Sequence, residues 1–413
     1  MIGGTNMLYT YSTTNLTGLQ DLEIKNIDTL GNFLLINAEI ARKPHKCPCC
    51  GNITDKVHDY RIQTIKDIPA FGKFVLISLR KRRYVCKHCK KRFYENVQFL
   101  PKYHRMTNRL SAWVIHLLED VRSFSSVAKE VNLSVSTVIR IFDIVGFPMP
   151  QTPPEVIAID EFKGNTGNEK YQCILTDPKT GIVLDILPNR NTEYLIKYFK
   201  QWDLEKRKAV RYFVSDMWQP YTDLGTAFFK NSTLIIDKYH FIRQMIWAFE
   251  AVRKSEQKKY GTKNRLCFKN SKRILTKRAK KLKDYQKERV NAILYISDNL
   301  RTAYELKELF YEIVDATNRK EARDLMLEWI YTAQASGLSE YVKCSNTMIN
   351  WQSGILNSFE APYTNGFTEG CNNKIKVLKR NAYGYRNFNR FRNRILHIFN
   401  YKKTTLKESK EVA

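Results

Sequence analysis

Two Cys-x-x-Cys pairs near the amino-terminal end constrain the fold of this chain more than any other feature. They consist of Cys47, Cys50, Cys86 and Cys89. Each pair brings two thiolates to one side of a tight turn, and four thiolates complete the tetrahedral coordination of Zn²⁺ without an open position for chemistry. We therefore expect one structural Zn²⁺ bound by these four residues. Buried free thiols are the alternative, and Cys49 and His88 are less suitable substitute ligands.

The pattern of apolar residues divides the chain into five segments. Strict alternation at residues 73–80, KFVLISLR, indicates β-strands in the first segment, and spacing of three and four residues indicates helices in the second. Apolar strands then alternate with helices, which predicts an α/β sheet, and a long charged helical insertion interrupts this core before its last part. The predicted segments are the zinc-binding β-ribbon (1–100), a helix-turn-helix (101–150), the first part of the α/β core (151–240), the insertion (241–350) and the last part of the core (351–413).

The charge of the chain predicts a polyanionic partner. Lys and Arg number 69 and Asp and Glu number 41, so the net charge is +28. A field of this size attracts nucleic acid, and a merely solvated basic surface is the alternative. The sequence has no apolar stretch of about 18 residues and no visible secretory signal. We expect a soluble, cytoplasmic protein that is not bound to a membrane and is associated with the nucleoid.

Residues 124–144, FSSVAKEVNLSVSTVIRIFDI, have the pattern of a helix-turn-helix. Asn132 tolerates the left-handed backbone of the turn, Ser134 is suited to cap the next helix, and Val138 and Phe142 are expected in the core. The polar positions left on the second helix are Ser136, Thr137 and Arg140. These are candidates for DNA contacts in the major groove, and an ordinary two-helix corner is the alternative.

Acidic residues end two apolar strands of the predicted sheet. Asp160 ends VIAID and Asp216 ends RYFVSD, so neighbouring parallel strands would place both carboxylates at one sheet edge. An isolated acidic residue at a strand end is often only a turn or helix cap. Asp237, at the end of TLIID, is a rival to Asp216 on sequence alone.

Glu369 supplies a third carboxylate at the start of a predicted amphipathic helix. Lys376 and Arg380 share its polar face and are expected to contact DNA phosphates, whereas Ile375 and Leu378 face the core. Three carboxylates suit two hard cations, Mg²⁺ or Mn²⁺, about 3.5–4 Å apart, which activate a nucleophile and stabilise a leaving oxygen in phosphodiester chemistry. A solvated surface helix is the alternative.

The chain resembles the ISL3 family of bacterial insertion-sequence transposases along nearly its whole length, and several stretches carry this resemblance. They are CPCCG with CKHC, AIDEFKG, FVSDMWQPY, IIDKYHF and NGFTEGCNNKIKVLKRNAYGYRNFNRFRNRIL. The resemblance implies an RNase H-like catalytic domain with a DDE triad, and it assigns that triad to Asp160, Asp216 and Glu369, ranking Asp216 above Asp237. The implied partners are double-stranded DNA, as terminal repeats of the element and as target, and further copies of the chain assembled on it.

Asp237 and His240 form a D-x-x-H motif in IIDKYHF and are expected behind the metal ligands rather than among them. Glu161 follows Asp160 on the same strand, so its side chain is expected on the other face of the sheet. The function predicted is DNA cleavage and strand transfer at the ends of the element. The alternatives are a DNA-binding regulator without chemistry and an RNase H-like nuclease acting on branched DNA or RNA hybrids.

Overall fold

The computed structural model describes residues 18–19, 21–167 and 169–411, with side chains described except at 262–264 and 401–411. The chain separates into two compact units. The first contains Met1–Phe147 with Arg380–Tyr383, and the second contains Pro148–Lys379 with Gly384–Ala413. The finer segment boundaries at 100, 240 and 350 stay predictions.

The first unit contains a five-stranded sheet and a two-stranded ribbon. The strands are β1 (Leu22–Leu30), β2 (Phe33–Ile40), β3 (His45–Lys46), β4 (Ile53–Thr54), β5 (Val57–Ala70), β6 (Lys73–Val85) and β7 (Arg92–Tyr94). The sheet order is β1-β2-β6-β5, with β7 paired to β6 and β3 paired to β4. Phe71 and Gly72 both have positive φ, 53° and 72°, which is the backbone of a tight two-residue turn between the long strands β5 and β6.

Strand β6 has the alternation that its sequence predicts. Val75, Ile77 and Leu79 are buried, and the residues between them are more exposed. The buried set packs with residues of β1, β2 and β5 into one core of the first unit. Burying one face of a sheet in this way fixes the register of the strands, because a slip of one residue would reverse both faces.

Three short helices follow the sheet in the first unit. They are α1 (Asn108–Leu117), α2 (Phe124–Glu130) and α3 (Val135–Phe142). The side chains of Thr107, Ser123 and Ser134 accept hydrogen bonds from backbone N–H groups of the first turn of α1, α2 and α3, respectively. Each helix therefore begins at a hydroxyl cap, which satisfies N–H groups that have no partner within the helix.

The second unit is built on a mixed five-stranded sheet. Its strands are β8 (Val156–Phe162), β9 (Gln172–Asp177), β10 (Ile182–Leu187), β11 (Tyr212–Ser215) and β12 (Thr233–Ile236). The order is β10-β9-β8-β11-β12. Strand β9 is antiparallel to both of its neighbours, β8 and β10, and β11 is parallel to both β8 and β12. Nearly every residue of β8 and β9 is buried, as expected for central strands covered on both faces.

Helices connect the parallel strands of this sheet. They are α4 (Thr192–Phe199), α5 (Leu204–Arg207) and α6 (Gln219–Phe228). Phe199, Trp202 and Phe213 belong to the core that these helices form with the sheet. Gly225 of α6 has no room for a side chain, since a Cβ there would lie 2.5 Å from the ring of Phe213. The helix therefore approaches strand β11 at close range.

A helical insertion follows β12. It consists of α7 (Lys238–Lys259), α8 (Thr262–Asn270), α9 (Lys272–Leu275), a 3-10 helix (Ala279–Lys281), α10 (Asp284–Ile296), α11 (Asp298–Asp315), α12 (Arg319–Ala335) and α13 (Ser339–Asn357). Leu306, Phe310 and Ile313 are buried on one face of α11, and Leu309 beside them is partly buried. Helix α13 returns to the sheet, where a Cβ on Gly354 would lie 2.7 Å from Ile236, and Asn357 donates to the carbonyl of Leu234 at 2.6 Å.

Two helices close the chain, α14 (Gly366–Asn381) and α15 (Phe388–Glu411). Helix α15 lies along the edge strand β10, where Arg392 donates to Asp185 at 2.5 Å and Asn400 donates to the carbonyl of Val183 at 2.8 Å. Within the described part of the chain, no helix combines the length and the hydropathy that crossing a bilayer requires. The architecture is the α/β fold with a helical insertion that the sequence predicts.

Candidate active site and metal centres

Three acidic residues lie near the carboxyl ends of three adjacent parallel strands of the second unit. Asp160 is the fifth residue of β8, and Asp216 and Asp237 directly follow β11 and β12. The strand register pairs Val214 with Ala158 and Ser215 with Ile236. Continued by one or two residues, this register places Asp216 level with both Asp160 and Asp237. All three carboxylates therefore lie at the carboxyl edge of the sheet, where α/β folds bind their ligands.

Helix α14 brings Glu369 to the same edge. The hydroxyls of Thr368 and Thr176 lie 2.8 Å apart, which fixes the first turn of the helix on strand β9. One turn after Glu369, the side-chain amide of Asn372 donates to Oδ2 of Asp160 at 2.8 Å. Residues three apart on a helix share a face, so Glu369 and Asn372 both face the ends of the strands.

Asp160 is buried, with 8% of its surface exposed. Its Oδ1 accepts the backbone N–H of Glu161 at 2.7 Å, and its Oδ2 accepts Asn372. Burial raises the pKa of Asp160 to about 7, and the negative charges of Asp216, Glu161 and Glu369 add to this increase. Such a raised pKa is expected for a buried carboxyl with other carboxylates close to it, because burial and like charges both disfavour the ionised form.

Asp216 is half-buried, and burial raises its pKa to about 6. The charge of Glu161 raises this pKa further, whereas the backbone N–H of Trp218 and the guanidinium groups of Arg243 and Arg190 lower it. Its Oδ1 is buried and accepts no hydrogen bond from the residues that the structure describes. A buried carboxylate oxygen without a donor is a coordination position available to a cation.

Glu369 lies closest to Asp237 and His240. One ligand atom from each of these three residues lies within 4.8 Å of the others, a distance at which they could hold a metal ion. Burial raises the pKa of Glu369, and the charge of Asp237 raises it further. Over the described ranges of the chain, Asp160, Asp216 and Glu369 do not form a group this tight. The structure thus brings Glu369 together with the two residues of the D-x-x-H motif.

Both carboxylate oxygens of Asp237 accept backbone N–H groups. Oδ2 accepts Tyr239 at 3.1 Å and caps helix α7, and Oδ1 accepts Asn365 at 2.9 Å. The carbonyl of Asn365 in turn accepts the N–H of Glu369 at 2.8 Å. Asp237 therefore links the start of α7 to the turn that begins the helix of Glu369.

His240 is buried, and its Nδ1 lies 3.2 Å from a guanidinium nitrogen of Arg243. A guanidinium has only donors, so Nδ1 must accept and the proton of the neutral ring must be on Nε2. Burial lowers the pKa of His240, the charge of Asp237 raises it and the charge of Arg243 lowers it. In this arrangement Nε2 carries the proton of the ring and is available as a donor.

Sequence reasoning missed two arginines of this site. Arg243 contacts His240, and Arg190 forms an ion pair with Glu161 at 2.6 Å with its guanidinium 4.9 Å from the ring of Trp218. The position of Arg243, three residues after His240 on the same helix, is a signal that would have found it. Arg190 lies in a loop, and its sequence context gives no such signal.

The four predicted zinc ligands lie together in the first unit. The Sγ atoms of Cys47 and Cys89 are 3.5 Å apart, as are those of Cys50 and Cys86, and all four lie within 4.8 Å of one another. A tetrahedron of Zn–S bonds of about 2.3 Å has edges of about 3.8 Å, so the four sulfurs fit a zinc ion. Cys49 is exposed and does not belong to this group.

The two knuckles have matching backbone geometry. In the first, the N–H of Gly51 donates to the carbonyl of Cys47 at 3.0 Å, and in the second, the N–H of Lys90 donates to that of Cys86 at 3.1 Å. Gly51 and Lys90 both have positive φ, 76° and 60°. Backbone N–H groups near the sulfurs lower the pKa of Cys47 and that of Cys50, whereas burial and the three neighbouring cysteines raise the pKa of Cys89.

The predicted helix-turn-helix has the expected geometry. Asn132 adopts positive φ of 51° in the turn, and Ser134 accepts the N–H of Thr137 at 3.2 Å as the cap of α3. Ser136 and Arg140 are exposed, and Thr137 is half-buried with its hydroxyl 2.8 Å from that of Ser134. The exposed positions of α3 are therefore free of the core, which Val138 and Phe142 enter from the opposite face.

Lys376 and Arg380 are exposed on helix α14. The ammonium group of Lys376 donates to the side chain of Asn373 at 3.3 Å, and its charge lowers the pKa of Glu369. Lys376 is thus close enough to Glu369 to affect its ionisation.

Comparison with protein families gives matches over most of the chain. Residues 157–395 match the model of the DDE domain of the ISL3 family, described as "Transposase". Residues 43–89 match the zinc finger of the transposases IS204, IS1001, IS1096 and IS1165. Residues 95–143 match the helix-turn-helix domain of transposase family ISL3.

Two curated proteins also show similarity to the chain. The transposase for insertion sequence element IS1001 of Bordetella parapertussis is 26% identical over 365 residues, which cover 86% of this chain and 89% of that protein. A protein of Lactococcus lactis subsp. lactis named as an ATP-dependent protease is 36% identical over 107 residues, or 26% of this chain and 33% of that protein. The second match covers too little of either chain to bear on function.

Proposed function

The chain belongs to the ISL3 family of transposases and is an enzyme that cleaves and transfers DNA, and from this premise we propose that Asp160, Asp216 and Glu369 hold its catalytic metal ions. The observation that carries the proposal is the convergence of Asp160 and Asp216 at level positions on adjacent parallel strands, with helix α14 supplying Glu369. Oxygen ligands at one sheet edge suit the divalent cation that a DDE domain requires, and we infer that this cation is Mg²⁺ or Mn²⁺.

Hydrogen bonding favours Asp216 over Asp237 as the second ligand. Oδ1 of Asp216 is buried without a donor from any described residue, whereas both oxygens of Asp237 accept backbone N–H groups. A carboxylate whose oxygens are already used to hold the backbone has less capacity to bind a cation. We therefore assign Asp237 to positioning, although its closeness to Glu369 and His240 makes a metal site of those three the second candidate.

Metal ions held by Asp160, Asp216 and Glu369 would supply the charge that activates an oxygen nucleophile and stabilises the leaving oxygen of the scissile phosphate. Asn372 orients Asp160 by donating to Oδ2. Asp237 fixes the turn before Glu369, and Arg243 holds His240 in the tautomer that donates from Nε2. Since the nucleophiles are water and then a DNA 3′-hydroxyl, no covalent bond between protein and DNA is needed.

The amino-terminal unit is proposed to recognise the ends of the element. The zinc centre would stabilise the fold of its ribbon, and Ser136, Thr137 and Arg140 of helix α3 would contact DNA in the major groove. Lys376 and Arg380 would contact phosphates beside Glu369. Two DNA ends must be joined to one target, which supports an assembly of several copies on DNA, and such an enzyme would work at the nucleoid in the cytoplasm.

Incubation of the purified protein with the terminal DNA of its own element and Mg²⁺ tests the proposal. We expect nicks at the 3′ ends of the element, followed by joining of those ends to a second duplex. Binding without cleavage would identify a regulator. Cleavage of branched DNA or RNA hybrids without preference for the element ends would identify a nuclease.

A further inference from the structure

Three residues of helix α7, two exposed aromatic residues with a half-buried arginine between them, form a ladder that starts at the active site. We propose that Tyr239, Arg243 and Trp247 provide a stacking surface for an unpaired base of the DNA next to the cleaved bond. The guanidinium carbon of Arg243 lies 5.5 Å from the centre of the Tyr239 ring and 4.8 Å from that of Trp247. Residues four apart lie on one face of a helix, so the three side chains form a continuous strip.

The aromatic residues of the ladder are unusual in their exposure. Tyr239 and Trp247 are each 54% exposed, although the opposite face of α7 is buried by Phe241, Met245 and Phe249. A single exposed aromatic residue needs no explanation, because apolar atoms form much of any protein surface. Two half-exposed rings with an arginine between them, however, combine positive charge with accessible aromatic surface, which is the composition of surfaces that bind single-stranded nucleic acid.

The ladder is continuous with the proposed catalytic residues. Arg243 contacts His240, and its charge lowers the pKa of Asp216 and that of Glu369. A helix rises 1.5 Å per residue, so Trp247 lies about 12 Å along the axis from Tyr239. This distance corresponds to about three to four nucleotide steps of 3.4 Å. A base displaced close to the cleaved phosphate would therefore be within reach.

The charge along α7 favours DNA as the occupant of this strip. The exposed charged residues beyond Trp247 are basic and include Lys254 and Lys258. The acidic residues Glu250 and Glu256 are buried and form ion pairs within the helix. The phosphates that follow the stacked base along the DNA strand would therefore lie next to positively charged side chains. The inference rests on the proposed function, because it places DNA at the acidic sheet edge.

Binding of a 12-nucleotide oligo(dT) tests the stacking surface without any cleavage. Fluorescence anisotropy of the full chain at fixed salt, with Ca²⁺ in place of Mg²⁺, gives the affinity. Loss of one stacked base weakens binding by about fivefold or more. We expect Trp247→Ala to show this loss, Trp247→Phe to restore most of the affinity, and binding of a fully paired 12-base-pair duplex to change much less. Tyr331→Ala, which removes a ring that is 77% exposed on α12, is the matched control and should have no effect.

A second measurement uses 2-aminopurine beside the cleaved bond of the element end. Its fluorescence should change on binding of the unaltered protein and remain unchanged with Trp247→Ala. The proposal would be overturned if Trp247→Ala weakened single-strand and duplex binding equally, or if Tyr331→Ala had an equal effect. Dissociation of a dimer by Trp247→Ala would also overturn it, because a second copy of the chain would then be the occupant. The oligo(dT) measurement needs no catalysis, so cleavage that persists in Asp160→Ala would contradict the proposed metal site and leave the stacking result intact.

Discussion

Oδ1 of Asp237 accepts the backbone N–H of Asn365 at 2.9 Å, across 128 residues of sequence. This hydrogen bond joins the start of the helical insertion to the turn from which Glu369 begins its helix. The side chain of Asn365 is fully buried, and neither of its amide atoms has a hydrogen-bond partner among the described residues. The turn is therefore held through the backbone N–H of Asn365, which donates to the carboxylate of Asp237.

We expect Asp237→Asn to slow DNA cleavage without changing how much metal the reaction needs. The amide retains one oxygen acceptor for the backbone N–H groups, but it cannot satisfy both as the carboxylate does. Glu369 would then be held less firmly, and the rate would fall. The measurement is the Mn²⁺ concentration that gives half of the maximal cleavage rate, and it should match that of the unaltered protein.

Asn318→Ala is a control for the loss of a helix cap. Asn318 accepts the N–H of Glu321 at the start of α12, far along the chain from the acidic residues. Its loss should cost about 0.5–2 kcal/mol of stability, with no effect on cleavage. If Asp237→Asn instead raises the Mn²⁺ requirement as strongly as Asp216→Asn does, Asp237 is a metal ligand and the assignment to positioning is wrong.

Alanine at Asp160, Asp216 or Glu369 should abolish cleavage and joining while the element ends still bind. Catalytic groups that act as a unit cost about 1000-fold or more when any one of them is removed. Binding depends on cationic and polar side chains elsewhere, so it should be unchanged. Gel assays of binding, 3′ nicking and strand transfer measure the three steps separately.

Asp203→Ala provides the comparison for that series, because Asp203 is an exposed carboxylate that makes no cap hydrogen bond and pairs with the exposed Lys206 at 3.5 Å. It should cleave normally. If alanine at one of the three positions also leaves cleavage near the normal rate, the residue at that position is not a metal ligand. Normal cleavage by Asp216→Ala with loss of cleavage by Asp237→Ala would reverse the roles of these two residues.

The raised pKa of Asp160, about 7, makes the stability of the metal-free protein depend on pH. A carboxyl with a folded pKa above its unfolded value stabilises the fold below about pH 3.8, and this contribution is lost as the pH rises through 7. Asp160→Asn should therefore stabilise the protein without Mg²⁺ or Mn²⁺ at pH 8, by on the order of 3 kcal/mol, and much less at pH 5.

Thermal unfolding at both pH values, with and without Mn²⁺, measures this difference. The metal should raise the Tm of the unaltered protein more at pH 8 than at pH 5, since protons compete for the same oxygens. The Tm of Asp160→Asn should respond less to the metal. An equal response of both proteins at pH 8 would remove Asp160 from the metal site.

One zinc ion per chain should be found in freshly purified protein, and Cys86→Ser should lose it. Metal binding supplies much of the folding free energy of such small domains, so the variant should unfold the ribbon and weaken recognition of the element ends. Cys49→Ser, which alters the exposed neighbour of the ligands, should retain zinc and binding. Metal analysis and circular dichroism measure the outcome, and protein purified without any zinc would contradict it.

Local features of this chain could be predicted from the sequence because they depend on neighbouring residues. The alternation that buries Val75, Ile77 and Leu79 follows from the period of a strand, and the positive φ of Asn132 follows from the demands of a short turn. The strand end before Asp216 was located for the same reason, since the apolar run before it has a clear limit, whereas β8 continues two residues beyond Asp160 to Phe162.

Contacts between distant segments could not be predicted in this way. The hydrogen bond from Asn365 to Asp237 depends on where α13 returns to the sheet, and that return depends on the close packing of Gly354 on Ile236. The sequence predicted neither the parallel pairing of β2 with β6 nor the clustering of Glu369 with Asp237 and His240. Such contacts are set by packing across the whole core, which no local pattern contains.

Lys376 and Arg380 should contribute to DNA affinity through phosphates alone. Each phosphate neutralised adds about −0.9 to the slope of log affinity against log salt. Changing both residues to Ala should therefore make the slope shallower by about two units and weaken binding similarly for element ends and random DNA. Binding titrations at several salt concentrations measure the slope, and an unchanged slope would show that both are ordinary solvated charges.

Arg140→Ala should behave differently, because Arg140 is exposed on the second helix of the helix-turn-helix, which is expected to contact bases. A base contact is worth about 1–3 kcal/mol of discrimination, so the variant should lose preference for the element ends while binding random DNA nearly as before. Val138 and Phe142 hold the opposite face of this helix in the core, and the substitution leaves them unchanged. Equal weakening on both DNAs would place Arg140 on the phosphates and leave the reading of bases to other residues of helix α3.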